Sequence, residues 1–198
     1  MPMRLEPFSP IHAPAPPDPG EPVVEIAPLD APGRFRLLLS GRLGRAWAAQ
    51  LCTGLAARQV SVLRGTARRS GDAWRARFDL ERLAPRVDPS RIDYLRLCRS
   101  RAARTAVAPL RLERFSVAES LSLFPALDVW IEAPDRLGLL GALLERLAFL
   151  SLVLDQMSIE TRDGRALDRF RVCTAEGGLP SRATQRVLRE ALAGRLLR

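Results

Sequence analysis

In the stretch APDRLGLLGALLERLA, residues 133–148, Asp135 is followed by Arg136, Leu137, Gly138 and Leu139 just before a leucine-rich run. A carboxylate can pair with an ammonium group, and a helix N-terminus offers unsatisfied N–H groups and a partial positive charge to an anion. Gly138 has no side chain to shield those groups. One acceptor for a cation beside donors for an anion is what a free α-amino acid requires. The same residues also suit architecture alone, with Asp135 as a helix cap and Gly138 as a point of close packing.

The rest of the chain offers little for catalysis. Its one histidine, His12, lies in a proline-rich N-terminal stretch, so no Ser-His or Cys-His pair is evident. Cys52, Cys98 and Cys173 are widely separated and lack CxxC spacing, which argues against a disulfide framework or a zinc site and for a reducing compartment. Asp155, Glu160, Asp163 and Asp168 can face one another across a hairpin, yet no spacing among them marks an acid-base dyad or a metal cage. "GRLG" and "RLGLLG" lack the Walker lysine and the dinucleotide fingerprint. The expectation is a non-enzymatic protein with no cofactor and no metal.

The elements that would position the Asp135 loop occur twice. The segment opening FRLLLSGRLGRAWAAQLC runs parallel to the one opening LDVWIEAPDRLGLLGALL, with Gly44 and Gly138 as anchors 94 residues apart and Gly71 and Gly164 as turn glycines 93 apart. Each copy opens with an alternating strand, Phe35, Leu37 and Leu39 or Leu127, Val129 and Ile131. A helix comes next. In the second copy Leu139, Leu140, Leu143, Leu144 and Leu147 form its apolar stripe, and Glu145 and Arg146 are expected to face water. The helix leads to a hairpin, with a strand from Val153 to Thr161, the turn RDGR at Arg162 to Arg165, and a return strand through Phe170 and Val172. In the first copy the return strand sets Trp74, Ala76, Phe78 and Leu80 on one face and Arg75, Arg77, Asp79 and Glu81 on the other. Second helices start near Asp88–Pro89 and near LPSRATQRVLREAL. Residues 110–118 read as a fourth strand for the first copy. Only Leu196, Leu197 and Arg198 remain after the last helix, so the second copy is expected to lack its own fourth strand and leave a vacant sheet edge.

Strand, helix, strand, strand, helix, strand is the split βαβ arrangement, giving an α+β fold of two tandem ferredoxin-like (βαββαβ) domains. With "DRLGLL" before its helix and "DGRALDRFRV" in its hairpin, the second copy resembles ACT domains, most closely the C-terminal ACT pair of bacterial PII uridylyltransferases and related tandem ACT-domain proteins. The resemblance covers residues 127–197 well and residues 35–118 mostly through the internal repetition. Proline spacing predicts a disordered tail over residues 1–30, and the resemblance implies a first ACT-like domain over 31–118 and a second over 119–198. It also implies regulatory amino-acid sensing at the loop Asp135, Arg136, Leu137, Gly138 and Leu139, with the facing strand Asp155, Gln156, Met157 and Ser158 completing the site. In the glycine alignment Gly41 replaces Asp135, so the first loop is not expected to hold an amino acid.

Every one of the 31 basic residues is arginine, and the formal net charge is +9. Residues 31–118 carry 19 arginines against six carboxylates, so the excess sits in the first copy. An acidic partner or nucleic acid would answer it. Base-specific RNA reading is disfavoured, because Trp74 and Phe78 share the apolar parity and leave no aromatic platform outside. Two alternatives to a sensor remain, a module for association between copies or a non-specific nucleic-acid binder using the basic first copy; the sensor itself is expected to act on a second copy or a regulated protein partner. No apolar run has the length of a membrane span and the N-terminus has no apolar signal core, so a cytoplasmic location is expected.

Overall fold

The computed structural model describes residues 20–100, 110–122 and 124–194. Residues 1–19 of the tail expected over 1–30, with His12, and the terminal Leu196, Leu197 and Arg198 lie outside the described residues. Strands β1 (Val23–Pro28) and β2 (Arg34–Arg42) precede helix α1 (Trp47–Ala57), and β3 (Val60–Ser70) and β4 (Ala73–Arg82) precede a 3-10 turn (Pro89–Arg91) and α2 (Tyr94–Arg99). Then β5 (Arg114–Glu119) and β6 (Leu127–Pro134) precede α3 (Leu139–Phe149), and β7 (Val153–Arg162) and β8 (Arg165–Cys173) precede α4 (Arg182–Leu192).

The fold is α+β, with all eight strands in one antiparallel sheet ordered β1-β2-β4-β3-β7-β8-β6-β5. Alternation decides its two faces. Leu37, Phe78, Val129, Met157 and Phe170 point to one side and join residues of all four helices in a single apolar cluster. The intervening residues, arginines and carboxylates above all, point to the other. Ladders such as Arg36–Asp79 at 2.8 Å and Arg171–Asp128 at 2.9 Å cross that open face. The turn at Asp163 and Gly164 has positive φ at both residues, 52° and 71°, as a tight hairpin requires.

Three expectations are corrected. Residues 114–119 do not close the first repeat: β5 pairs with β6, so the edge expected to be vacant is filled. The reason is local, since only seven residues separate β5 from β6 and a hairpin return needs no crossover. The first repeat takes its edge strand from Val23–Pro28, inside the expected tail. Each repeat therefore reads ββαββα, with its edge strand arriving first. The two repeats are not separate sheets either, because β3 and β7 pair through Arg64–Glu160 to Arg68–Gln156. Finally, Arg146 is buried and donates to the Ala191 carbonyl at 3.0 Å, because α4 ends over the α3 face that the helical wheel leaves to solvent.

The structural register between repeats is 92 residues. Leu37 opposes Phe78 as Val129 opposes Phe170, and α1 begins at Trp47 as α3 begins at Leu139. Gln59 and Ser151, both at φ 57°, end the two helices at matching positions. The glycine anchor of 94 thus misses by two residues: Ala46, not Gly44, occupies the place of Gly138.

Candidate functional site

Helix α3 starts at an uncapped N-terminus. Its N-cap is Gly138 in the left-handed region at φ 87°, a conformation that L side chains rarely adopt, and no side chain bonds to its first amides. Asp135 is therefore not the helix cap. Its backbone N–H donates to the Gly164 carbonyl at 2.8 Å, and its Oδ2 accepts from the Thr161 hydroxyl at 3.2 Å. These two bonds tie the loop to the β7–β8 hairpin. Farther along α3, Gly141 lies against α1, where an added Cβ would stand 2.7 Å from Thr53 Oγ1 and 3.0 Å from its backbone nitrogen. That glycine sets how closely the two helices approach.

A shallow, open-mouthed cleft lies between this loop and the other repeat. Residues Asp135–Gly141 form one wall, and the end of α1 (Cys52, Ala56) with the start of β3 (Val60–Val62) forms the other. Ile159, Thr161, Ala166 and Asp168 make the floor.

Asp168 is the chemically unusual member. It sits on the β8 face of Ala166, Phe170 and Val172, is 1 % exposed, and among the described residues its Oδ1 has no hydrogen-bond partner. The β7–β8 pairing skips Ile159 and Glu160 opposite it. Burial pushes its carboxyl up to about 7, a backbone hydrogen bond at Glu160 pulls it back, and the nearby Asp135 charge adds to the rise. A buried acceptor short of a donor is costly, and the raised pKa lessens that cost by favouring the neutral carboxyl. Two carboxyl groups, Asp135 and Asp168, thus lie on one side of the cleft and the uncapped N-terminus of α3 on the other.

The expected site residues divide. Asp135, Arg136, Leu137, Gly138 and Leu139 all line the cleft. Asp155, Gln156, Met157 and Ser158 do not. Asp155 is 3.8 Å from Arg69, Gln156 and Met157 are buried in the sheet, and Ser158 faces Thr66 on the open side. The segment that does face the loop across the repeats is Val60–Val62 with Ala56 and Cys52. Asp168 is readable from sequence as a carboxylate on the apolar parity of ALDRFRV. The α1 and β3 residues carry no comparable signal, since their place depends on how the repeats join.

The counterpart of the cleft in the first repeat is filled. Trp47 and Trp74 stand where Leu139 and Ala166 line the cleft, and their rings meet edge-to-face at 5.3 Å. Ala76 stands where Asp168 does. Burial pushes the thiols of Cys52, Cys98 and Cys173 upward, away from the thiolate a nucleophile needs. Among the described residues no cluster of three or more His, Cys, Asp or Glu could hold a metal, and no helix is long and apolar enough to cross a membrane.

No family model matches this sequence, and no curated protein matches it significantly. Among solved structures it is similar to an aspartate kinase from Synechocystis, with 17 % identity and a TM-score of 0.46 over 83 % of this chain. The match spans 28 % of that kinase chain.

Proposed function

We propose that the chain is a non-enzymatic regulatory protein that binds a free amino acid in the cleft between α3 and the α1–β3 segment. The observation that carries this reading is the buried, underbonded Asp168 beneath an uncapped helix N-terminus. The ammonium group of the ligand would pair with Asp168 and Asp135, and its carboxylate would meet the α3 amides. The resemblance of residues 127–197 to ACT domains supports both the ligand class and the regulatory role. Because both repeats line the cleft, an occupant bridges them and favours the arrangement in which they are packed together. A partner protein or a second copy would read that arrangement in the cytoplasm.

The test is thermal unfolding of the full chain against the standard amino acids and a few nucleotides, with Asp135→Ala and Asp168→Asn in parallel. A ligand at a hundred times its dissociation constant adds about 2.7 kcal/mol, which moves the midpoint by roughly 5–10 °C for a chain of this size. A shift from one amino acid that both substitutions remove supports the reading. A chain that no amino acid shifts, or a shift that survives both substitutions, refutes it.

A further inference from the structure

The cleft has two walls of unlike chemistry, one from each repeat. The second repeat supplies the carboxyl groups and the uncapped N-terminal amides of α3. The first supplies Cys52, Ala56, Val60, Ser61 and Val62. Residues 31–118 hold 19 arginines and six carboxylates, yet among the described residues none of these lines the cleft. By alternation the Ser61 side chain shares the open face with Glu81, its partner across the β3–β4 ladder. A strongly basic repeat therefore turns a neutral, aliphatic set of side chains toward this one place.

The strand pairing explains how that wall comes to border a gap. Strands β3 and β7 pair from Arg68–Gln156 only as far as Arg64–Glu160, although β3 reaches back to Val60 and β7 on to Arg162. A bulge in β3 between Val62 and Arg64 lies where the pairing stops. Beyond it the strands part, with Val60 and Val62 on one side and Thr161 on the other. The gap is narrow where α1 ends. A Cβ added at Gly138 would stand 3.8 Å from Ala56 Cβ, so about one methyl group's breadth separates the two walls there.

We propose that the cleft selects an amino acid with a short, uncharged aliphatic side chain, and that Ala56, Val60 and Val62 of the first repeat set this preference. The proposal rests on the reading of the cleft as an amino-acid site. The ammonium and carboxylate groups, common to every amino acid, are met by the second repeat, which leaves the side chain to the first. A charged or amide side chain against that wall would lose water without gaining a partner. An aromatic or long one would have to force Ala56 and Gly138 apart. The two repeats thus divide the work, one holding what all amino acids share and the other reading what distinguishes them.

Isothermal titration calorimetry of the full chain with alanine, 2-aminobutyrate, valine, phenylalanine, lysine and glutamate tests the proposal. The first three should bind about ten-fold or more tighter than the last three, since a single methylene in a fitted pocket is worth about that much. Ala56→Val, which fills the narrow point, should shift the ratio of valine to alanine affinity about five-fold or more toward alanine. Val62→Ala, which widens the gap, should shift the same ratio toward valine. Loss of stability alone weakens both ligands together and leaves the ratio unmoved, and either variant serves if the other unfolds the chain. Tighter binding of phenylalanine, lysine or glutamate, removed by Asp168→Asn, would overturn the selectivity and leave the amino-acid site standing. A ratio that neither variant moves would overturn the role of the first repeat. Binding of no amino acid would overturn the site and this inference with it.

Discussion

Asp168 makes the fold depend on pH. Its carboxyl is held near 7 against an ordinary value of about 3.9, so the folded state keeps a proton that the unfolded chain has lost. Stability therefore declines between about pH 4 and pH 7 and is flat above, by a few kcal/mol in all. Asp168→Asn should remove that decline and raise the unfolding midpoint at pH 8, which melts across the range will show. An ammonium ligand reverses the preference, since it favours the ionised carboxylate. Its affinity should rise from pH 6 to pH 8, with proton release seen as a buffer-dependent binding heat. The Asp135 loop is legible in the sequence as a carboxylate and a glycine before a helix. Asp168 is one of four hairpin carboxylates there, although its parity with Ala166 and Phe170 separates it from the outward Glu160. The burial of Arg146 is not legible, because a helical wheel knows only its own helix and α4 covers this position.

The hairpin turn and helices α1, α3 and α4 are legible because each rests on local chemistry, leucine periodicity, Asp-Gly at positive φ and Ser181 as a cap, whereas the start expected at Asp88 is only a 3-10 turn and α2 begins later, at Tyr94 behind Asp93. The junction between α1 and α3 is not, for it depends on one small residue meeting another element. Gly141→Ala should push α1 from Thr53 at a cost of roughly 1–3 kcal/mol and break the Thr53–Glu145 hydrogen bond of 2.8 Å, measurable by urea unfolding. Gly138→Ala should cost about 1 kcal/mol from its left-handed backbone and leave that junction intact. In the first repeat Trp47 fills space that the second leaves open, so Trp47→Ala should cost about 3–5 kcal/mol and open a cavity there.

At the scale of the molecule, the doubling is legible and the connectivity is not. Alternation names the strands, but it does not say which strand takes an edge. Here the short link from β5 to β6 settles it, placing residues 114–119 in the second repeat. The continuous sheet and the main apolar cluster, which spans both repeats, imply one cooperative unfolding transition, with circular dichroism and tryptophan fluorescence coinciding; two separate transitions would show that the repeats fold alone. The join between β3 and β7 has a further consequence. Equivalent strands meeting antiparallel relate the repeats as the subunits of a dimer are related, so the architecture provides two equivalent positions for a cleft. With Trp47 and Trp74 filling one of them, the proposed ligand of the other should saturate at one equivalent per chain. Its binding isotherm should then be a plain hyperbola, with any sigmoidal response arising from contact between chains.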